Sequence, residues 1–117
     1  MAEQHYPIVP ADAGVVSYLV FSGSMRSGAL NTRLAELAAD VLRAKGGIVD
    51  QATMADFDCP SFDQDTQASD GLPPGAQEFW RRLQATDALV IASPEYNASF
   101  PGLLKNAIDW VSRYRPQ

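Results

Sequence analysis

The chain has 117 residues, enough for one domain with a core but short for an open α/β sheet with helices on both faces. Hydrophobic residues at 46% and charged residues at 20% are globular composition, and a formal net charge of −5 without a basic tract argues against nucleic acid or an anionic membrane as main partner. The lone cysteine, Cys59, excludes an internal disulfide framework and a multi-cysteine zinc site, and the lone histidine, His5, makes a Ser-His-Asp triad a poor fit.

Residues 1–14 predict an N-terminal tail, broken by Pro7, Pro10 and Gly14 and without periodicity. The segment has neither the basic start nor the apolar run of a signal peptide, and no stretch approaches the roughly 20 apolar residues of a membrane span. The expectation is a cytoplasmic protein. Residues 15–117 predict a single domain. Its first strand covers residues 15–21, where Val15, Val16, Tyr18, Leu19, Val20 and Phe21 are apolar enough for burial on both faces. The first helix is expected from about Ala29 to Ala44, with Leu30, Leu34, Leu37, Ala38, Val41 and Leu42 on one face and Gly46-Gly47 at its end.

A weaker second strand follows, Ile48 to Thr53, whose mixed Asp50 and Gln51 suit a sheet edge. Residues 55–74, with five Asp and three Pro, predict a long solvated loop without the spacing of a calcium site. Cys59 lies in it with no basic neighbour in sequence and is expected to be inert. The second helix spans about Gly75 to Ala85, its Ala76, Phe79, Trp80 and Leu83 stripe being core and not a cofactor stack. The third strand, Ala88 to Ala92, is fully apolar, which predicts burial on both faces. The third helix runs from about Pro101 to Arg113, with Leu103, Leu104, Ala107, Ile108 and Val111 as its apolar face. Lys105 and Asp109, four apart, are expected as a surface pair.

The order βαβαβα implies right-handed crossovers and a parallel sheet. Ligands of such sheets bind beyond the carboxyl ends of the strands, where strand order reverses. With the second strand on one side of the first and the third on the other, two unusual loops line that crevice. The first, Ser22 to Ala29, is rich in small residues and opens a helix. Its N–H groups and the helix dipole favour an anion, and Ser22, Ser24, Ser27, Asn31 and Arg26 add donors suited to phosphate. The second runs from Ser93 to Gly102.

Together the two loops, Gly23-Ser24-Met25-Arg26-Ser27-Gly28-Ala29-Leu30-Asn31 and Pro94-Glu95-Tyr96-Asn97-Ala98-Ser99-Phe100-Pro101-Gly102 continuing to Trp110, resemble the NADPH-dependent FMN reductase family. These are flavodoxin-like proteins that include quinone, azo-dye and chromate reductases. The likeness covers about Val15 to Arg113. It implies a doubly wound α/β parallel sheet of which three strands, in the order 2-1-3, and three helices are present. It implies that Ser24, Arg26 and Asn31 hold the FMN phosphate, and that Pro94, Glu95, Tyr96 and Asn97 pack along the isoalloxazine ring. It implies FMN and NAD(P)H as cofactors, with hydride passing through the flavin to a small acceptor such as a quinone. The second Ser of the family's first motif is Ala29 here, and a hydrogen bond lost to a charged group costs about 1.5–3 kcal/mol unless Ser27 or Ser22 replaces it.

Proteins of this kind use five strands in the order 2-1-3-4-5, whereas this sequence stops after the third helix. The expectation is therefore a fragment, the product of a truncated gene, or a piece completed by another chain through strand addition, its third strand forming a sheet edge; as a family member it is expected as a homodimer or as a chain completed by another. Two further functions stand beside the reductase: a flavin-binding electron carrier, and a non-catalytic remnant that needs a partner chain.

Overall fold

The computed structural model describes residues 14–114, so the expected tail, Gly14 apart, lies outside the described residues, as does His5. Strand β1, Ser17–Ser22, is central, and Leu19, Val20 and Phe21 on it are completely buried. It pairs in parallel with β2, Ile48–Gln51, from Ser17 opposite Ile48 to Val20 opposite Gln51. On its other side it pairs in parallel with β3, Ala88–Ala92, from Tyr18 opposite Ala88 to Ser22 opposite Ala92. The order β2-β1-β3 is the expected one, and it places the reversal between β1 and β3.

Alternation along β1 divides the core in two. Leu19 and Phe21 face one side, with Phe57, Phe79, Leu104 and Ala107. Phe21 meets Phe57 and Phe79 edge-on at 5.0 and 5.7 Å between ring centres, and Phe57 stacks on Phe79 at 4.5 Å. Val20 faces the other side, against Ala35 and Ala39 of α1, Leu30–Ala44. Small residues there let the helix approach the sheet closely.

That packing corrects the sequence-based face of the first helix. Leu30, Leu34, Leu37 and Val41 are exposed, whereas Ala35 and Ala39 are buried, with Ala38 and Leu42 between the two states. The leucine stripe lies beside the sheet-facing alanines, about one residue around the helix. Strand β3 is an edge of the three-stranded sheet, as expected of a chain with three strands, and this corrects the burial expected on both its faces: Leu89 is 43% exposed, and Val90 and Ile91 are only partly buried.

The supposed solvated loop also has structure. Met54–Phe57 form a 3₁₀ turn closed by a reciprocal capping box of Thr53 and Asp56, and both Met54 and Phe57 are buried. Helix α2, Gln64–Asp70, starts at Asp63, whose carboxylate accepts from the Asp65 N–H at 2.8 Å. Helices α3, Pro74–Gln84, and α4, Gly102–Val111, match the expected second and third helices. Pro101 caps α4 from outside and is not its first residue. The Asn106 amide of α4 donates to the Cys59 and Pro60 carbonyls at 3.1 and 3.0 Å, and its oxygen accepts from the Phe62 N–H at 2.8 Å. The Trp110 indole N–H donates to Pro60 at 2.7 Å, so one face of α4 staples the segment between the turn and α2. Burial, then the Asp58 charge, pushes the Cys59 thiol up, away from the reactive thiolate. No helix among the described residues is long and apolar enough to cross a membrane.

Two outcomes follow from this packing. A Cβ at Gly75 would sit 2.1 Å from the Asp58 carbonyl oxygen, so Gly75→Ala must displace backbone and should destabilise the chain by about 1–3 kcal/mol in urea unfolding. Hydrogen bonds from Arg82, at 2.9 and 2.6 Å, hold the Asp50 carboxyl below the usual carboxylate range against the opposing effect of burial. A carboxyl with a lowered folded-state pKa stabilises above its unfolded value of about 3.9, and this stabilisation fades as pH falls through the folded value. Asp50→Asn should therefore lower stability at neutral pH and flatten the acid limb of a urea-midpoint-versus-pH curve; parallel curves would show that the pair carries none of the acid sensitivity.

Candidate functional site

Beyond β1 the chain turns through Gly23, whose N–H donates to the Ala92 carbonyl at 2.9 Å and ties the first loop to the end of β3. A Cβ at Gly23 would lie 3.5 Å from both the Pro94 ring and Leu104 and 3.6 Å from Pro101. The two loops that the sequence singles out therefore meet at Gly23.

Hydroxyls organise the first loop. Buried Ser22 accepts from the Ser24 N–H at 3.2 Å, and Ser24 accepts from the Arg26 N–H at 3.2 Å. Each hydroxyl keeps its own proton to donate onward. Gly28 takes φ of +69°, a left-handed conformation that side chains disfavour, and the space beside its Cα is open. Ala29 then caps α1 at φ −61° and ψ 144°, with no side-chain oxygen to serve the first turn. The Thr32 N–H donates to the Ala29 carbonyl at 3.1 Å, which leaves the Leu30 and Asn31 N–H groups as the unpartnered donors of α1, and no acidic residue lies in that turn. Arg26 is exposed and makes no ion pair among the described residues.

These groups line a cavity of about 560 Å³. Ser22, Ser24, Arg26, Ser27 and Gly28 form one wall. A second part of the lining comes from Thr32 and Glu36 of α1, from Gln51 at the end of β2 and from Thr53 and Ala55 after it. Sequence reasoning missed this second wall because it looked only between β1 and β3. The rule that ligands gather beyond strand carboxyl ends applies equally to β2 and could have found it.

Asn31, half-buried on α1, does not line this cavity. Neither do Pro94, Glu95, Tyr96 and Asn97, which lie past β3. There Tyr96 and Ser99 exchange backbone hydrogen bonds at 2.8 and 3.0 Å around Asn97 and Ala98, whose φ values are +54° and +61°. Two successive left-handed residues make a tight turn of the kind that favours Asn and Gly, and Ala98 bears strain there. Glu95, Tyr96 and Asn97 are exposed and Pro94 is half-buried. The structure thus brings Ser24 and Arg26 into one cavity and sets the Pro94–Asn97 loop on the other side of Gly23.

A parallel sheet in the order 2-1-3, with a small-residue turn at the β1–α1 junction, defines a flavodoxin-like protein. The solved flavoenzyme NAD(P)H:(acceptor) oxidoreductase FerB of Paracoccus denitrificans superimposes with a TM-score of 0.69 at 30% identity, over 87% of this chain and 52% of that one. The model of the NADPH-dependent FMN reductase family matches residues 16–117, and the chain belongs to that family. A probable NADPH:quinone oxidoreductase 2 of rice is 39% identical over 79% of this chain and 45% of its own length. A NAD(P)H-dependent FMN reductase of Pseudomonas aeruginosa is 39% identical over 84% of this chain and 51% of its own. The quinone reductase of Escherichia coli K12 is 37% identical over 81% and 50%. The chain spans about half the length of the curated relatives it matches.

The uncapped start of α1 gives a direct test. Ala29→Ser supplies a cap oxygen where none exists and should stabilise the chain by about 0.5–1 kcal/mol in chemical denaturation. An unchanged midpoint would mean that the hydroxyl is spent elsewhere.

Proposed function

We propose that the chain forms the flavin-phosphate half of an NAD(P)H-dependent FMN oxidoreductase acting on a small electron acceptor such as a quinone. The observation that carries this is the meeting of unspent donors in one cavity at the start of α1: the Ser24 hydroxyl, the first-turn N–H groups and the unpaired Arg26 guanidinium. That donor set fits a phosphate monoester. FMN, when bound, would accept hydride from NAD(P)H and pass electrons to the acceptor.

The chain's own residues bind and orient. Arg26 supplies the charge, Ser24 supplies a donor, and Gly28 leaves its backbone open to close approach; Asn31, which does not line the cavity, is outside this donor set. Pro94, held against Gly23, sets the height of the Glu95–Asn97 segment, on which the ring system would rest. Tyr96 at 56% exposure has aromatic surface free for that contact. Names of the relatives support quinone-type acceptors. The edge strand β3 and the uncovered leucines of α1 favour completion of the assembly by a second copy or another chain. A cytoplasmic setting agrees with a chain that cannot form an internal disulfide.

Arg26→Ala removes a phosphate contact only. It should weaken FMN by about 10–100-fold, the equivalent of one hydrogen bond to a charged group, while riboflavin affinity stays unchanged. Quenching of flavin fluorescence measures both. Equal losses for the two ligands would refute the phosphate role. Binding of FMN without oxidation of NADH or NADPH would point to the electron carrier.

A further inference from the structure

Strand β1 ends its apolar run on a buried hydroxyl. Ser22 is 5% exposed and is the only buried polar or charged side chain among the described residues. A hydroxyl taken out of water costs free energy unless its hydrogen bonds are made inside. Alternation along the strand puts Ser22 on the face of Val20, beneath α1 and away from the Phe21 cluster. Its partner across the register, Ala92, lies on that same face. There Ser22 lines the first-loop cavity together with buried Ala35 of α1, the helix that opens with the unpartnered Leu30 and Asn31 N–H groups.

Half of this hydroxyl is committed. Its oxygen accepts from the Ser24 N–H at 3.2 Å, and the Ser24 oxygen in turn accepts from the Arg26 N–H at 3.2 Å. Ser22 therefore sets the turn that carries Arg26. Its proton is uncommitted, because Ser22 donates to no protein acceptor among the described residues. Ser27 lines the same cavity, but it is exposed, and bulk water serves its hydroxyl. Ser22 is enclosed by strand and helix, so only an acceptor held in the cavity can take its proton. Ala29 brings no hydroxyl to the start of α1, and the buried one at the strand end is positioned to make up for it. A phosphate oxygen suits this donor, since hydrogen bonds to an ionised acceptor are the stronger kind.

We infer that Ser22 is a phosphate-binding residue, a hydroxyl at the floor of the first-loop cavity that donates to a phosphate oxygen of the flavin in place of the hydroxyl absent at Ala29. This rests on the flavin-phosphate reading of the cavity. It also bears on the ionic form that binds. A phosphate monoester has a second pKa of about 6, and a donor to its oxygen favours the dianion. Bound FMN then keeps its dianion to lower pH than free FMN, and Ser22 supplies part of that difference.

Fluorescence titrations with FMN and riboflavin, and phosphorus NMR of bound FMN against pH, test the contact. Ser22→Ala should weaken FMN by about 10-fold or more and leave riboflavin within about twofold. It should also raise the second phosphate pKa of bound FMN toward the free value. Equal losses for FMN and riboflavin would make Ser22 only a strut of the loop, and an unchanged FMN affinity or an unmoved phosphate pKa would overturn the contact. In the unaltered protein, the Ser22 hydroxyl proton should show a scalar coupling across the hydrogen bond to the FMN phosphorus. Its absence overturns the proposal even where Ser22→Ala does not fold. A wild-type chain that binds FMN no better than riboflavin has no phosphate site, and the flavin-phosphate reading falls with the proposal. A wild type that prefers FMN, with the preference intact in Ser22→Ala, removes Ser22 alone.

Discussion

The burial of the inner part of β1, Leu19 to Ser22, is the constraint on which the remaining structure depends. Leu19, Val20 and Phe21 have no exposure, which requires a strand on each side and a helical layer on each face. Parallel pairing in register with β2 and β3 brings three carboxyl ends to one edge. From that edge emerge the Ser22–Ala29 loop, the Thr53–Phe57 turn and the Ser93–Gly102 loop. The site is thus a consequence of strand direction: a parallel sheet cannot bury its central strand without also gathering its loops.

The two faces of the sheet are finished differently. One carries an aromatic cluster of Phe21, Phe57 and Phe79, extended by α4 and by the Asn106 and Trp110 hydrogen bonds to the segment before α2. Among the described residues the other is covered by α1, through Ala35 and Ala39, with Leu30, Leu34 and Leu37 outside. Burying a leucine fully contributes roughly 1.5–3 kcal/mol, so the uncovered stripe is a reserve of stabilisation that this face of the sheet leaves unspent.

Around the first loop, polar groups are committed where geometry must be fixed and left unspent where a ligand would sit. Ser22 and Ser24 take backbone protons and keep their own. Gly28 and Asn97 adopt left-handed conformations in tight turns, where glycine or a turn-forming residue costs least. Ala98 does the same at higher cost, and strain of that kind gathers where backbone is held for function.

The sequence by itself determined the three strands and both loops, because these depend on local features, runs of apolar residues and turn chemistry; the order of the strands came only through the family resemblance that the two loop motifs carry. It also placed Ser24 and Arg26 together, since they share a turn. Only the tertiary structure decided which face of α1 is buried, because Leu34 and Ala35 are neighbours on the helix and the sheet selects between them. It also decided that Phe57, within a polar segment, belongs to the core, since its partners Phe21 and Phe79 are distant in sequence. The wall built by Glu36, Gln51 and Thr53 was illegible for the same reason. Periodicity reports on residues a few positions apart, whereas a cavity is set by how separate elements pack.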